Sequence, residues 1–246
     1  MSGPEVLSGA DRDFTVALLG GFATFVNGSH LGIPSAPQRL LAFLALRGGM
    51  VRRAVVAGTL WPDASPSHAY SNLRAALSRT QARARAVLVT SKLELGLAEG
   101  VTVDLHDAQA LARRLLDPTA TLDPSHLGMA AVTALSADLL PGWYDDWVLV
   151  EAEDWQQLRL HALEALAGHL AGAGRWGEAA GAARAAVRAE PLRESGHVAL
   201  IQVYLAEGNQ SQAVRQFARY RALLHAELQL EPTHRLRELV QGLRGP

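Results

Sequence analysis

Cysteine is absent from the sequence. That excludes disulfides, thiolate zinc sites and thiol nucleophiles together, and it is neutral between compartments. No apolar run approaches the roughly 18 residues of a membrane span. Residues 1–13 lack the charged-then-apolar order of a secretory signal. The expectation is a soluble cytoplasmic protein with no membrane partner. Lysine is nearly missing as well: Lys92 is the only one, and every other strong base is arginine. There is no Walker-type glycine loop, and no dinucleotide fingerprint follows a strand. What the chain does have is apolar content, 49% of 246 residues, enough for two domains with real cores.

Catalytic constellations are equally thin. Gly28-Ser29-His30-Leu31-Gly32 superficially resembles a nucleophile elbow, but the serine is one position early and the segment reads as a hairpin turn. His161, Glu164 and His169 share a helix without the His-Glu-x-x-His spacing. Ring nitrogens eight residues apart lie about 12 Å apart along the axis, too far to share a metal. Asp145-Asp146, flanked by Trp143, Tyr144 and Trp147, reads as a helix start whose aromatics anchor a core. No enzyme activity, catalytic residue, cofactor or metal is expected.

Charge is unevenly distributed. Residues 1–103 hold 10 Lys+Arg against 6 Asp+Glu, and residues 104–246 hold 13 against 18. A basic N-terminal part joined to an acidic C-terminal part points to a polyanionic partner for the former.

Residues 1–12 form a loose tail. Phe14–Leu19, Phe22–Val26 and Ser29–Ile33 are short apolar runs, and Asn27-Gly28 between the last two is a hairpin signal. Gln38–Arg47 is apolar nearly all round and reads as a core helix stopped by Gly48-Gly49. Arg52–Leu60 is a second, short helix. Ser65–Arg85 follows, with Ser65 as N-cap and Pro66 at the first helical position. Ala69, Leu73, Ala76 and Leu77 form its buried stripe. The other face carries Tyr70, Ser71, Arg74, Ser78 and Arg85, bordered by Arg79 and Arg83, without a carboxylate. An acid there would face phosphates if the helix entered a DNA groove. Val87–Thr90, Leu93–Leu97 and Val101–Val103 then read as a β-ribbon. Sheet, two helices, basic helix and ribbon are the order of a winged helix with an extra N-terminal sheet.

From Asp104 onward the chain reads as helices: Asp104–Leu116, Leu127–Leu140, a long one to about Ala173, and an internal repeat. Gly174-Arg175-Trp176-Gly177-Glu178-Ala179-Ala180 matches Gly208-Asn209-Gln210-Ser211-Gln212-Ala213-Val214, 34 positions on. That is the tetratricopeptide period. A last helix, Thr233–Leu243, caps the stack. The expected fold is an α+β winged helix-turn-helix domain over 1–103, followed by an all-α tetratricopeptide-like bundle over 104–246.

The chain resembles the SARP-type transcriptional activators of actinobacteria across nearly its whole length. The N-terminal part, with L-L-G-G-F at 18–22, Q-R-L-L-A-F-L-A-L at 38–46, L-W-P-D at 60–63 and N-L-R-A-A-L-S-R at 72–79, looks like an OmpR-type winged helix. The rest looks like a bacterial transcriptional activator domain, through D-L-L-P-G-W-Y-D-D-W-V-L at 138–149, L-R-L-H-A-L-E-A-L at 158–166, R-A-E-P-L-R-E-S at 188–195 and L-Q-L-E-P at 228–232. The resemblance implies binding to double-stranded DNA and activation through RNA polymerase. Ser71, Arg74 and Ser78 would face bases or groove phosphates, with Asn72 holding register and Arg79, Arg83 and Lys92 anchoring the backbone. A homodimer on direct repeats is implied too, the 104–246 domain serving dimerisation or contact with the transcription machinery. Two departures stand out. Thr80 occupies the place of a core leucine, and Gln81 and Ala82 stand where bases are common, so that helix end should pack less tightly and hold fewer phosphates. The length leaves no room for a receiver or NTPase region, and neither is expected. The competing reading is a tetratricopeptide-type interaction module whose degenerate winged helix no longer binds DNA.

Overall fold

In the computed structural model, which describes residues 14–80, 84, 87–122 and 127–242, strand β1 (Phe14–Ala17) pairs antiparallel with β2 (Ala23–Val26), Phe14 opposite Val26. Phe14 and Val16 alternate into the core. Asn27 (φ 49°) and Gly28 (φ 74°) turn the chain into β3 (Ser29–His30). Both are positive, as a type I′ turn requires, so the Asn-Gly signal found its hairpin.

Helix α1 (Ser35–Arg47) places Leu40 through Ala45 in succession out of solvent. It begins three residues before the expected Gln38, because Pro37 fits a first helical turn, where no intrahelical N–H partner is needed. Gly48 ends it at φ 62°. A two-residue strand, β4 (Val51–Arg52), precedes α2 (Arg53–Leu60) and α3 (Pro66–Arg79). The hairpin of β5 (Leu88–Thr90) and β6 (Glu94–Leu97) takes β4 as its third strand, in the order β4-β6-β5. The close approach behind this sheet leaves no room at Gly96: a Cβ there would meet the Gly49 carbonyl oxygen at 2.5 Å and the Met50 sulfur at 3.0 Å. Gly96→Ala is therefore expected to lower stability by about 2 kcal/mol through a forced backbone shift, measurable by urea denaturation. An unchanged midpoint would show that the 48–50 turn yields freely.

Strand β7 (Val101–Val103) departs from the sequence reading. It does not extend the ribbon. It lies parallel to β1, Phe14 opposite Val101, and completes a four-stranded sheet of order β3-β2-β1-β7. Asp104, the next residue, receives the Leu18 and Leu19 amides at the end of β1.

The chain divides into two compact units. One comprises the chain up to Asp107 with Asp138–Glu153, the other Ala108–Ala137 with Asp154 onward. In the first unit Leu139 bridges Leu19, and the Leu140 amide donates to Leu18 O at 2.9 Å. Trp143 meets Phe22, Trp147 packs edge-on to Phe43 at 5.4 Å, and Arg39 binds Asp145 at 2.5 Å. This bridging explains a second difference. The helix expected over 127–140 is only α5 (Met129–Ser136), because Leu139 and Leu140 are drawn into extended pairing.

The other helices are α4 (Asp104–Leu116), α6 (Asp146–Gly172), α7 (Trp176–Ala189), α8 (Glu194–Ala206), α9 (Gln210–Leu228) and α10 (His234–Gln241). The repeat is visible in the backbone of the second unit: Gly174 and Gly208 both take positive φ, at 72° and 83°. Its matched positions Leu166 and Leu200, and Ala179 and Ala213, are all buried. Ala179, Ala180, Ala182, Ala183, Ala185 and Ala186 give α7 a small-residue face. Ile201, Phe217, Tyr220, Leu224, Leu236 and Val240 form the core that α10 closes. His197 stacks on Tyr220 at 4.1 Å. Its Nε2 donates to Pro191 O, since a carbonyl can only accept, and its Nδ1 accepts from Gln216. Burial pushes the pKa of His197 down and favours this neutral form.

Candidate nucleic-acid interface

Helix α3 starts where the sequence placed it. Ser65 is the N-cap, with its Oγ 3.5 Å from the His68 amide, and Pro66 follows. Ala69, Leu73 and Ala76 are buried, and Leu77 is half-buried. The helix stops earlier than Arg85, at Arg79, and Thr80 turns extended at ψ 121°. Thr80 is nevertheless buried, and its hydroxyl donates to Ala76 O at 3.0 Å. Its polar atom is thus satisfied internally, so the threonine fills the core position without an orphaned group, contrary to the looser packing expected.

Tyr70, Ser71, Asn72, Arg74, Ser78 and Arg79 are all exposed on this helix. Two of them are less free than their exposure suggests. Ser71 Oγ donates to Ser67 O at 3.0 Å, and Ser78 Oγ donates to Ala75 O at 2.9 Å. Each hydroxyl thus offers an outside partner only its lone pairs, and Ser71 already accepts from Arg74 Nη2 at 2.9 Å. Ser71 therefore steadies the guanidinium. Arg83 lies outside the described residues.

Lys92 is exposed in the β5–β6 turn, beside Leu93, which is 76% accessible. The ladder between β4 and β6 brings Arg52 and Arg53 to the same turn, and Arg53 Nε donates to Ser91 O at 3.0 Å. With Tyr70 of α3 these residues line a cleft of about 610 Å³, whose single carboxylate is Glu94. The sequence reading missed Arg52 and Arg53 as site residues. Two adjacent arginines before a helix were the available signal, but a two-residue strand has no periodicity to read.

The comparisons with known proteins fit this arrangement. The profile of the bacterial transcriptional activator domain matches residues 103–244, more than half of the chain. The chain belongs to the bacterial transcriptional activator domain family. Its similarity to SARP-type regulators extends to the N-terminal unit. It is 32% identical over 254 aligned residues to the regulatory protein AfsR of Streptomyces coelicolor, covering 97% of this chain and 25% of that protein. With AfsR of Streptomyces griseus it shares 31% over 234 residues, 88% of this chain and 23% of that one. The chain thus spans about a quarter of the length of the curated relatives it matches. The solved structure of Mycobacterium tuberculosis EmbR in complex with a low-affinity phosphopeptide shares the fold, with a TM-score of 0.65 at 22% identity over 94% of this chain and 65% of that one.

Within the activator-domain region the histidines weighed as metal ligands have other neighbours. His169 Nε2 lies 3.1 Å from Leu115 O, and Glu164 pairs with Arg193 at 3.0 Å. Among the described residues, no group of three His, Asp or Glu is arranged to hold a metal, and no helix is long and apolar enough to cross a membrane.

Proposed function

We propose that this chain is a sequence-specific DNA-binding regulator that activates transcription. Its first unit works as a winged helix, with α3 in the major groove and the β5–β6 turn on the neighbouring backbone or minor groove. Its helical unit, a tetratricopeptide-like stack, contacts RNA polymerase or a second copy placed head-to-tail on direct repeats. The observation that carries the reading is the solvent face of α3, where Arg74 and Arg79 stand among hydroxyl and amide side chains with no acid. Arg74 has the fork geometry for guanine O6 and N7, and its hydrogen bond to Ser71 limits the rotamers it must give up on binding. Asn72 is positioned at the margin of that face. Arg79, Arg83 and Lys92 neutralise phosphates, joined by Arg52 and Arg53.

The test is a mobility shift on the DNA upstream of the protein's own operon, against random duplex, across a salt series. Arg74→Ala combined with Arg79→Ala should weaken specific binding about 100-fold and reduce the salt slope by about 2. Binding no tighter than to random DNA, and unchanged in the double variant, would leave the interaction-module reading in its place.

A further inference from the structure

Helices α7, α8 and α9 enclose a groove of about 520 Å³. Arg184 and Arg188 of α7 and Arg219 of α9 line it, all three exposed. Among the described residues none of their side chains has a hydrogen bond or ion pair. That sets them apart from other arginines of the same unit. Arg175 pairs with Glu178 at 2.7 Å, Arg193 with Glu164 at 3.0 Å and Arg221 with Glu231 at 2.7 Å. Residues 104–246 carry 18 acids against 13 bases, so partners were plentiful, yet three arginines at one concavity were left without any. Glu207 is the one carboxylate in the lining.

The rest of the groove suits a polypeptide. Trp176 and Tyr204, both half-buried, supply apolar faces with polar edges. Gln216 is buried with its Nε2 committed to His197, which fixes the orientation of its amide. Arg184 and Arg188 are one helical turn apart, about 6 Å along the axis. Alternate residues of an extended chain are about 6.6 Å apart and point the same way. Two carboxylates at positions i and i+2 therefore match this pair. A duplex is a poor occupant, because the net negative charge of the surrounding domain repels it and the concavity is of small-ligand size.

We propose that this groove binds an extended acidic segment of a partner protein, with carboxylates at alternate positions and an apolar or aromatic residue between them. The site is separate from α3 and does not depend on DNA binding.

An array of 12-residue peptides carrying two to four glutamates at every spacing, with Leu or Trp between them, tests this with the labelled full chain. Each peptide is printed beside its glutamine counterpart. Retention should favour the i, i+2 spacing, and fluorescence anisotropy on the best peptide should show at least tenfold weaker binding for Arg184→Ala plus Arg188→Ala. Arg215→Ala, exposed on α9 outside the groove, should bind as the parent does. Equal retention of glutamate and glutamine peptides, or an unchanged affinity in the double variant, overturns the proposal. So does random duplex DNA binding that disappears in the same variant, which would make the groove a nucleic-acid surface. A normal mobility shift with no acidic-peptide binding would refute this proposal and leave the α3 reading intact.

Discussion

Asp104→Ala is expected to lower the stability of the first unit by about 3 kcal/mol, because one carboxylate there satisfies three backbone donors. Oδ1 accepts from Leu18 N at 2.8 Å and Leu105 N at 2.7 Å, and Oδ2 accepts from Leu19 N at 3.1 Å. Leu18 is fully buried, so no water replaces the lost acceptor for its amide. The residue joins β7 to α4 and clamps the end of β1, the strand that β7 and β2 both flank. Denaturant unfolding followed by circular dichroism reads the loss. A midpoint within experimental scatter of the parent would mean that the Leu18 and Leu19 amides find other acceptors.

Asp104→Asn separates the hydrogen bonds from the charge. Its amide oxygen keeps the Oδ1 role, while its NH2 opposes the Leu19 amide, so a cost of about 1–2 kcal/mol at neutral pH is expected. Burial raises the carboxyl pKa of Asp104 more than the three amides lower it. The folded state then binds the proton more tightly than the unfolded chain. Parental stability therefore gains from this group as pH falls through the raised folded pKa toward 3.8, and loses that gain as pH rises. The asparagine variant has no such titration. Its deficit should widen from pH 7 to pH 4, and a deficit that narrows would contradict the assigned direction.

Local chemistry was legible in the sequence wherever one residue type dictates one conformation. Asn27-Gly28, the Ser65-Pro66 start of α3, and Gly174 with Gly208 at the repeat offset all took the backbone their side chains demand. The exposed face of α3 was likewise readable from helical spacing. What failed were decisions made by distant partners. Val101–Val103 looks like one more ribbon strand, and only the free edge of β1, some 85 residues earlier in sequence, draws it away. Leu139 and Leu140 fit a helical pattern until Leu19 and Leu18 claim them. The candidate interface shows the same limit. Arg52 and Arg53 reach Lys92 through a strand too short to carry a period, and the hydroxyls of Ser71 and Ser78 turn back onto their own helix, which composition does not reveal.

In the second unit, Trp155→Ala should cost about 4 kcal/mol, the range for a large aromatic truncated inside a packed core. Trp155 is 1% exposed, and its Nε1 donates to Ala137 O at 2.9 Å. One turn further along α6, Arg159, itself only 2% exposed, donates from Nη1 to Ser136 O at 2.8 Å. These two carbonyls stand at the C-terminal end of α5, where helical geometry leaves acceptors without intrahelical partners. The indole and the guanidinium therefore act together as a side-chain cap, and the cation also favours the negative end of the helix. Trp155→Phe keeps most of the buried ring but abandons Ala137 O, so about 2 kcal/mol is expected, half the alanine effect. Scanning calorimetry should resolve the series as a Tm fall of roughly 10 °C for alanine and 5 °C for phenylalanine. Equal losses in the two variants would mean that the hydrogen bond, not the packed ring, holds α5 in place. A negligible loss in both would show that α5 is held without either.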